Sequence, residues 1–96
     1  MKRQVCLLIG YQAIRLILAY EPPSAISTNN GIPDTPEHAQ KMALEIKSIL
    51  GQNTGVIYGG SVDAENAGNF LAESDIEGLL VGNASLDAKE FAKICQ

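Results

Sequence analysis

Three times along this chain a short apolar run stops at a small or acidic residue, passes through a turn and gives way to a helical pattern. The first run, Arg15 to Glu21, is almost continuously apolar, as strands buried on both faces of a parallel sheet are. Pro22 and Pro23 stop it. The second, Gly55 to Tyr58, ends at Gly59-Gly60-Ser61, and the third, Ile76 to Val81, at Gly82-Asn83-Ala84-Ser85. When strands alternate with helices, each crossover returns the chain to the same end of the sheet, so the strands run parallel with helices outside. Three such strands leave both sheet edges open, and covering both faces takes more helices than this sequence holds. The pattern is therefore that of a portion of a larger α/β fold.

The helices are marked by their ends. Thr35-Pro36-Glu37 supplies a cap, a first-turn proline and an acid facing the helix dipole. Ala39, Met42, Ala43, Ile46, Ile49 and Leu50 follow at helical spacing until Gly51. Asp63 is placed to cap a helix carrying Ala67, Phe70 and Leu71. Asp87 with Glu90 has the spacing of a capping box for a last helix that turns Phe91 and Ile94 inward. Residues 2 to 12, dense in Val, Cys, Leu and Ile, form a further helical segment ahead of the first strand. Residues 22–34 hold three prolines, Asn29, Asn30 and Gly31, and form a long loop, which in compact domains is a lid, a binding loop or a disordered tip. On this reading residues 1–96 are one partial domain. A helix remnant occupies 1–14, a strand, long loop and helix occupy 15–50, and two shorter βα units occupy 51–74 and 75–96.

Composition narrows the partners. The chain is 46 % hydrophobic, too apolar to stay disordered, and its net charge of −4 lacks the basic stripe that nucleic acid or an anionic membrane surface requires. No apolar run approaches the roughly eighteen residues of a membrane span. The start, Met-Lys-Arg-Gln-Val-Cys-Leu-Leu-Ile-Gly, has no prompt small-x-small cleavage site and is broken by Gly10, Gln12 and Arg15, which makes it a helix and not a leader. Cys6 and Cys95 stand far apart with no CxxC spacing. That is no metal or redox signature, and both are expected to be free, reduced and buried in a cytoplasmic protein.

All the candidate chemistry falls just after strands. Glu21 ends the first run, and the two glycine turns end the others. In parallel α/β folds, and above all in (β/α)8 barrels, that edge holds the active site, with phosphate on the loops after the last two strands. Small residues let a phosphate reach bare backbone N–H groups, and a lone carboxylate at a strand end is placed to be a general base. Each position also has a plainer alternative: Glu21 as a salt-bridge partner, Gly59-Gly60 and Gly82 as tight turns, Ser61 as a helix-start residue. His38, in the first turns of a helix, is expected to be exposed and is assigned no catalytic role. Asn83-Ala84-Ser85 matches a glycosylation sequon and Asn30-Gly31 a turn; neither is assigned chemistry.

Taken together the segments resemble one family. Leu18-Ala19-Tyr20-Glu21-Pro22, Ala25-Ile26, Thr28 and Thr35-Pro36-Glu37 are similar to the lid-loop segment of the triosephosphate isomerases. Ile57-Tyr58-Gly59-Gly60-Ser61-Val62 with Glu65-Asn66-Ala67 resembles their next strand and turn, and Asp75 to Leu86 their last. The resemblance, from about residue 16 to the C-terminus, implies the C-terminal portion of a (β/α)8 barrel, three parallel βα units preceded by a helix. It implies Glu21 as the catalytic base, Ser27, Ser61, Gly82 and Asn83 as backbone N–H donors to the substrate phosphate, and Tyr58 and Ser61 as holders of the closed lid. It further implies a small phosphorylated triose as substrate, no cofactor or metal, and a homodimeric family whose dimer surface lies mostly outside this stretch.

The departures are local and global. Pro23 and Ser24 stand where the family has a large apolar residue and Trp, Ser27-Thr28-Asn29 replaces a Gly-Thr-Gly tip, about two residues are added before Thr35, and Asn83 replaces a frequent Gly. A barrel of this kind takes roughly 250 residues. The family's first-strand Asn and Lys and its electrophilic His have no counterpart here, so the chain alone is expected to be inactive, since oxyanion stabilisation is usually the largest catalytic contribution. A non-catalytic barrel fragment and another phosphate-binding barrel protein stay open as alternatives.

Overall fold

The computed structural model describes residues 16–22 and 34–96. The expected leading helix, Cys6, Ser27 and most of the long loop lie outside the described residues. The elements run β1 (Ile17–Tyr20), α1 (Pro36–Leu50), β2 (Gly55–Tyr58), α2 (Ala67–Leu71), β3 (Gly78–Leu79), a 3-10 turn (Asn83–Leu86) and α3 (Ala88–Ile94). The strands form one parallel sheet in the order β1-β2-β3, with Tyr20 opposite Tyr58 and Tyr58 opposite Leu79. This is an α/β arrangement, a portion of a parallel barrel wall. The third strand is shorter than the apolar run Ile76 to Val81, but the ladder continues past it through Glu77 N–H to Val56 and Leu80 N–H to Tyr58.

α1 forms as its sequence ends dictate. The Thr35 hydroxyl accepts the His38 N–H at 3.2 Å, Pro36 sits in the first turn, and Gly51 closes the helix at φ 111° with its N–H on the Lys47 carbonyl. Ala39, Ala43 and Ile46 are fully buried against Val56, Tyr58, Phe70 and Ile76. Tyr58 and Phe70 stack with ring centroids 4.0 Å apart. Burying side chains of this size contributes about 1.5–3 kcal/mol each.

Several expectations are corrected. β1 is not buried on both faces: Leu18 and Tyr20 pack against the core, while Ile17 on the alternate face is 62 % exposed. Nothing among the described residues covers that second face. Asp63 does make the cap bonds expected of it, its carboxylate accepting the N–H groups of Glu65 and Asn66 and its carbonyl that of Ala67, although regular α2 begins only at Ala67. Asp87 caps α3 through the N–H groups of Lys89 and Glu90, but the Glu90 carboxylate does not return to it. It accepts the Ala64 N–H at 3.2 Å instead, so α3 docks by its Glu90 and Ile94 face and Phe91, one position round the helix, is left exposed. Cys95 is free but exposed, because α3 ends there at the surface.

At the N-terminal end of the sheet a cation is buried. Lys47, only 5 % exposed, donates to Asp75 at 3.2 Å and to Glu77 at 2.9 Å. Gln40 bonds Asp75 twice, through its amide to the carboxylate and through its carbonyl oxygen to the Asp75 N–H at 2.9 Å. The hydrogen bond to Glu77 raises the Lys47 ammonium above its usual range against the opposing effect of burial, and the bond from Gln40, with those from Lys47, lowers the Asp75 carboxyl.

Candidate active site

At the C-terminal end the sequence places a carboxylate and two turns of small residues. Glu21 is the first residue past β1, and the register sets it beside Gly59, whose N–H donates to the Tyr20 carbonyl at 2.9 Å. A Cβ on Gly59 would lie 2.8 Å from Glu21 Cγ, 3.0 Å from its Oε1 and 3.2 Å from Leu80 Cβ. Only glycine leaves room for the carboxylate to lie over the neighbouring backbone. Glu21 is exposed, and among the described residues its carboxylate has no hydrogen bond or ion pair. An unpaired carboxylate keeps its lone pairs for a proton from something else.

The turn after β2 is held by Asn66. Its amide donates to the Ser61 carbonyl at 2.7 Å while its oxygen accepts the Asp63 N–H at 2.9 Å. The turn after β3 is held by Ser85, whose hydroxyl and N–H both donate to the Gly82 carbonyl, at 2.6 and 2.9 Å. A trans peptide points its N–H opposite to its C=O. Drawing the Gly82 carbonyl into the turn therefore directs the Asn83 N–H out of it, at the start of a 3-10 turn whose first N–H groups have no carbonyl behind them. Neutral N–H groups of this kind suit an anion.

One residue ties the strand ends together. The Asp34 N–H donates to the Tyr58 hydroxyl at 2.9 Å, the Tyr20 hydroxyl donates to Asp34 Oδ2 at 3.2 Å, and His38 Nδ1 lies 2.7 Å from the same oxygen. Burial first, then the Asp34 charge and hydrogen bond, pushes the Tyr20 phenol up to about 12. Burial also raises the Tyr58 phenol, against the pull of the Asp34 N–H.

Of the residues singled out in the sequence, Glu21 and the Gly59-Gly60-Ser61 turn are brought together at this edge, and Gly82 and Asn83 follow the adjacent strand. Ser27 lies outside the described residues. His38 is half exposed and bonded to Asp34. Two residues escaped the sequence reading. The sequence shows Asp34 only as the last residue of a loop and does not single out Lys47, although its place four residues after Ala43 puts it on the apolar face of α1. Among the described residues no three His, Cys, Asp or Glu side chains converge as metal ligands would, and no helix is long and apolar enough to cross a membrane.

The family model for triosephosphate isomerase matches residues 2–96. Triosephosphate isomerase of Nitrosococcus oceani is 47 % identical over 93 % of this chain and 38 % of its own length. Those of Marinobacter nauticus and Aquifex aeolicus are 48 % and 44 % identical over 85 % and 83 % of this chain, each across 34 % of its own length. The chain thus spans little more than a third of the curated relatives it matches. In the described residues a parallel sheet ends in a carboxylate over a glycine and two side-chain-braced turns, and with this match over residues 2–96 and these identities the chain belongs to the triosephosphate isomerase family.

Proposed function

We propose that this chain carries the base and the phosphate turns of an isomerase that interconverts dihydroxyacetone phosphate and D-glyceraldehyde 3-phosphate. Glu21 takes a proton from the carbon next to the substrate carbonyl and returns it to the neighbouring carbon through an enediolate. The N–H groups of Ser61, Gly82 and Asn83, with Ser27 adding a further one, hold the phosphate. No cofactor takes part, and the setting is a cytoplasmic enzyme of a homodimeric family whose dimer surface lies mostly outside this stretch. The observation that carries this reading is the Glu21 carboxylate, unpaired among the described residues and lying across Gly59 at the mouth of the first glycine turn. A carboxylate with no partner to neutralise it is a competent base at neutral pH.

The enediolate oxygen still needs a donor. The family's Asn, Lys and His for that task have no counterpart in this sequence, so the 96-residue chain alone is inactive and the strands that precede it in its relatives complete the site. A coupled isomerase assay on the chain, with and without the N-terminal two thirds of a relative, tests both statements. Activity is expected only in the mixture and is expected to vanish with Glu21→Gln. Activity in the chain alone, or equal activity in the Gln variant, overturns the reading.

A further inference from the structure

We propose that Asp34 is a positioning residue for Glu21, acting through Tyr20; this rests on Glu21 being the base. A base that abstracts a proton from carbon must be held close to its reacting atom, and Glu21 has nothing on its own carboxylate among the described residues to hold it. Its place is set from behind. On one side the Tyr20 carbonyl is fixed by the Gly59 N–H, and on the other Pro22 has no N–H to give. The remaining tether is the Tyr20 side chain, which strand alternation turns to the face opposite Glu21, toward the helices. There its hydroxyl meets Asp34 Oδ2 at 3.2 Å.

Asp34 is built to be a fixed post. Its N–H is held by the Tyr58 hydroxyl, its Oδ1 accepts the Thr35 N–H at 2.9 Å, and its Oδ2 also meets His38 Nδ1. Its side chain is 16 % exposed. Capping α1 does not explain it, because the Thr35 hydroxyl already takes the His38 N–H. The Tyr20 and Tyr58 rings lie 6.3 Å apart, so one residue, Asp34, braces the ends of both strands that lead to Glu21 and Gly59, Tyr20 through its carboxylate and Tyr58 through its N–H.

The test uses the chain completed by a relative's N-terminal two thirds. Asp34→Ala and Tyr20→Phe both spare the Asp34 N–H bond to Tyr58 and the Thr35 cap. Each is expected to lower kcat on the order of 10-fold with KM unchanged, and the double variant to be no worse than either single one. Asp34→Asn, whose amide oxygen still accepts from Tyr20, is expected to recover most of kcat. The Tyr20 phenol is expected to ionise at lower pH in Asp34→Ala, read as tyrosinate absorbance. A loss confined to KM, additive single variants, or no recovery in Asp34→Asn overturns the proposal. If the wild-type assembly does not isomerise, Glu21 as base is what fails, and Glu21 side-chain couplings by NMR decide the rest. Rotamer averaging in Asp34→Ala supports positioning, and an unchanged rotamer overturns it.

Discussion

The two ends of this small sheet use the same local geometry and set it to opposite uses. At each end a glutamate lies over a glycine, the first residue of β2 at one end and the first residue past it at the other: a Cβ on Gly55 would meet Glu77 Oε2 at 2.8 Å, and one on Gly59 would meet Glu21 Cγ at 2.8 Å. At the N-terminal end the carboxylate is answered by buried Lys47, with Asp75 and Gln40 completing the set. At the C-terminal end no described residue answers it. The first arrangement spends its charges on holding α1 to the sheet; the second leaves a charge available. Substitutions at the two ends should therefore separate stability from catalysis.

The largest effect belongs to the unanswered carboxylate. Glu21→Gln keeps size and hydrogen-bonding capacity but removes basicity, and in the completed barrel kcat should fall by about 10²–10⁴-fold, the usual contribution of a general base. The urea midpoint should stay put, since no described partner is lost. At the other end Lys47→Met should leave kcat within about twofold but lower stability by about 3 kcal/mol, the low end for breaking a buried pair. Glu77 is 47 % exposed and rehydrates, while Asp75 keeps Gln40, so the figure belongs at that low end. A Lys47→Met variant with an unchanged urea midpoint would break the comparison.

How much of this was legible beforehand follows from which interactions are local. The ends of α1 were readable because Thr35, Pro36 and Gly51 act on their own backbone. The strand–turn order located Glu21, Ser61, Gly82 and Asn83 because in parallel folds the chain direction alone fixes the edge on which they fall. Lys47, the Asp34 bonds to Tyr20 and Tyr58, and the Glu90 bond to Ala64 were missed because these partners lie 14 to 30 residues away, and nothing in the local pattern announces them. The inward reading of Phe91 failed for the same reason: helical spacing gives the faces of a helix, and only the distant docking site chooses among them.

Acid and alkali should sharpen the contrast at the paired end. Asp75 titrates below its ordinary 3.8 in the fold, so its contribution is present above that value and lost as pH falls through the lowered one. Lys47 titrates above its ordinary 10.5, so its contribution is complete below that value and lost as pH rises through the raised one. Stability, followed by urea midpoint, should be flat from about pH 5 to 10 and fall beyond both limits. Lys47→Met should make the alkaline fall shallower without abolishing it, because the Tyr20 phenol, at about 12, contributes there with the same sign. An identical alkaline limb in the variant would separate Lys47 from the network.

The smallest effect, and the closest test of the shared geometry, is a single methyl at each end. Neither Gly55 nor Gly59 has positive φ, so alanine is strained at neither by backbone and the neighbour decides. At Gly55 the new methyl meets the far end of a half-exposed glutamate, which can swing into water while Asp75 keeps Lys47 paired. Gly55→Ala should change stability by about 0.5 kcal/mol, as weakly held ion pairs do, and leave kcat alone. At Gly59 the methyl meets Glu21 near its root, with Leu80 Cβ at 3.2 Å closing the other side. There the carboxylate must move as a whole, and kcat should fall on the order of 10-fold even if the urea midpoint barely shifts. Equal effects of the two methyls on kcat would mean that Glu21 tolerates displacement, and that the glycine after β2 serves the turn and not the base.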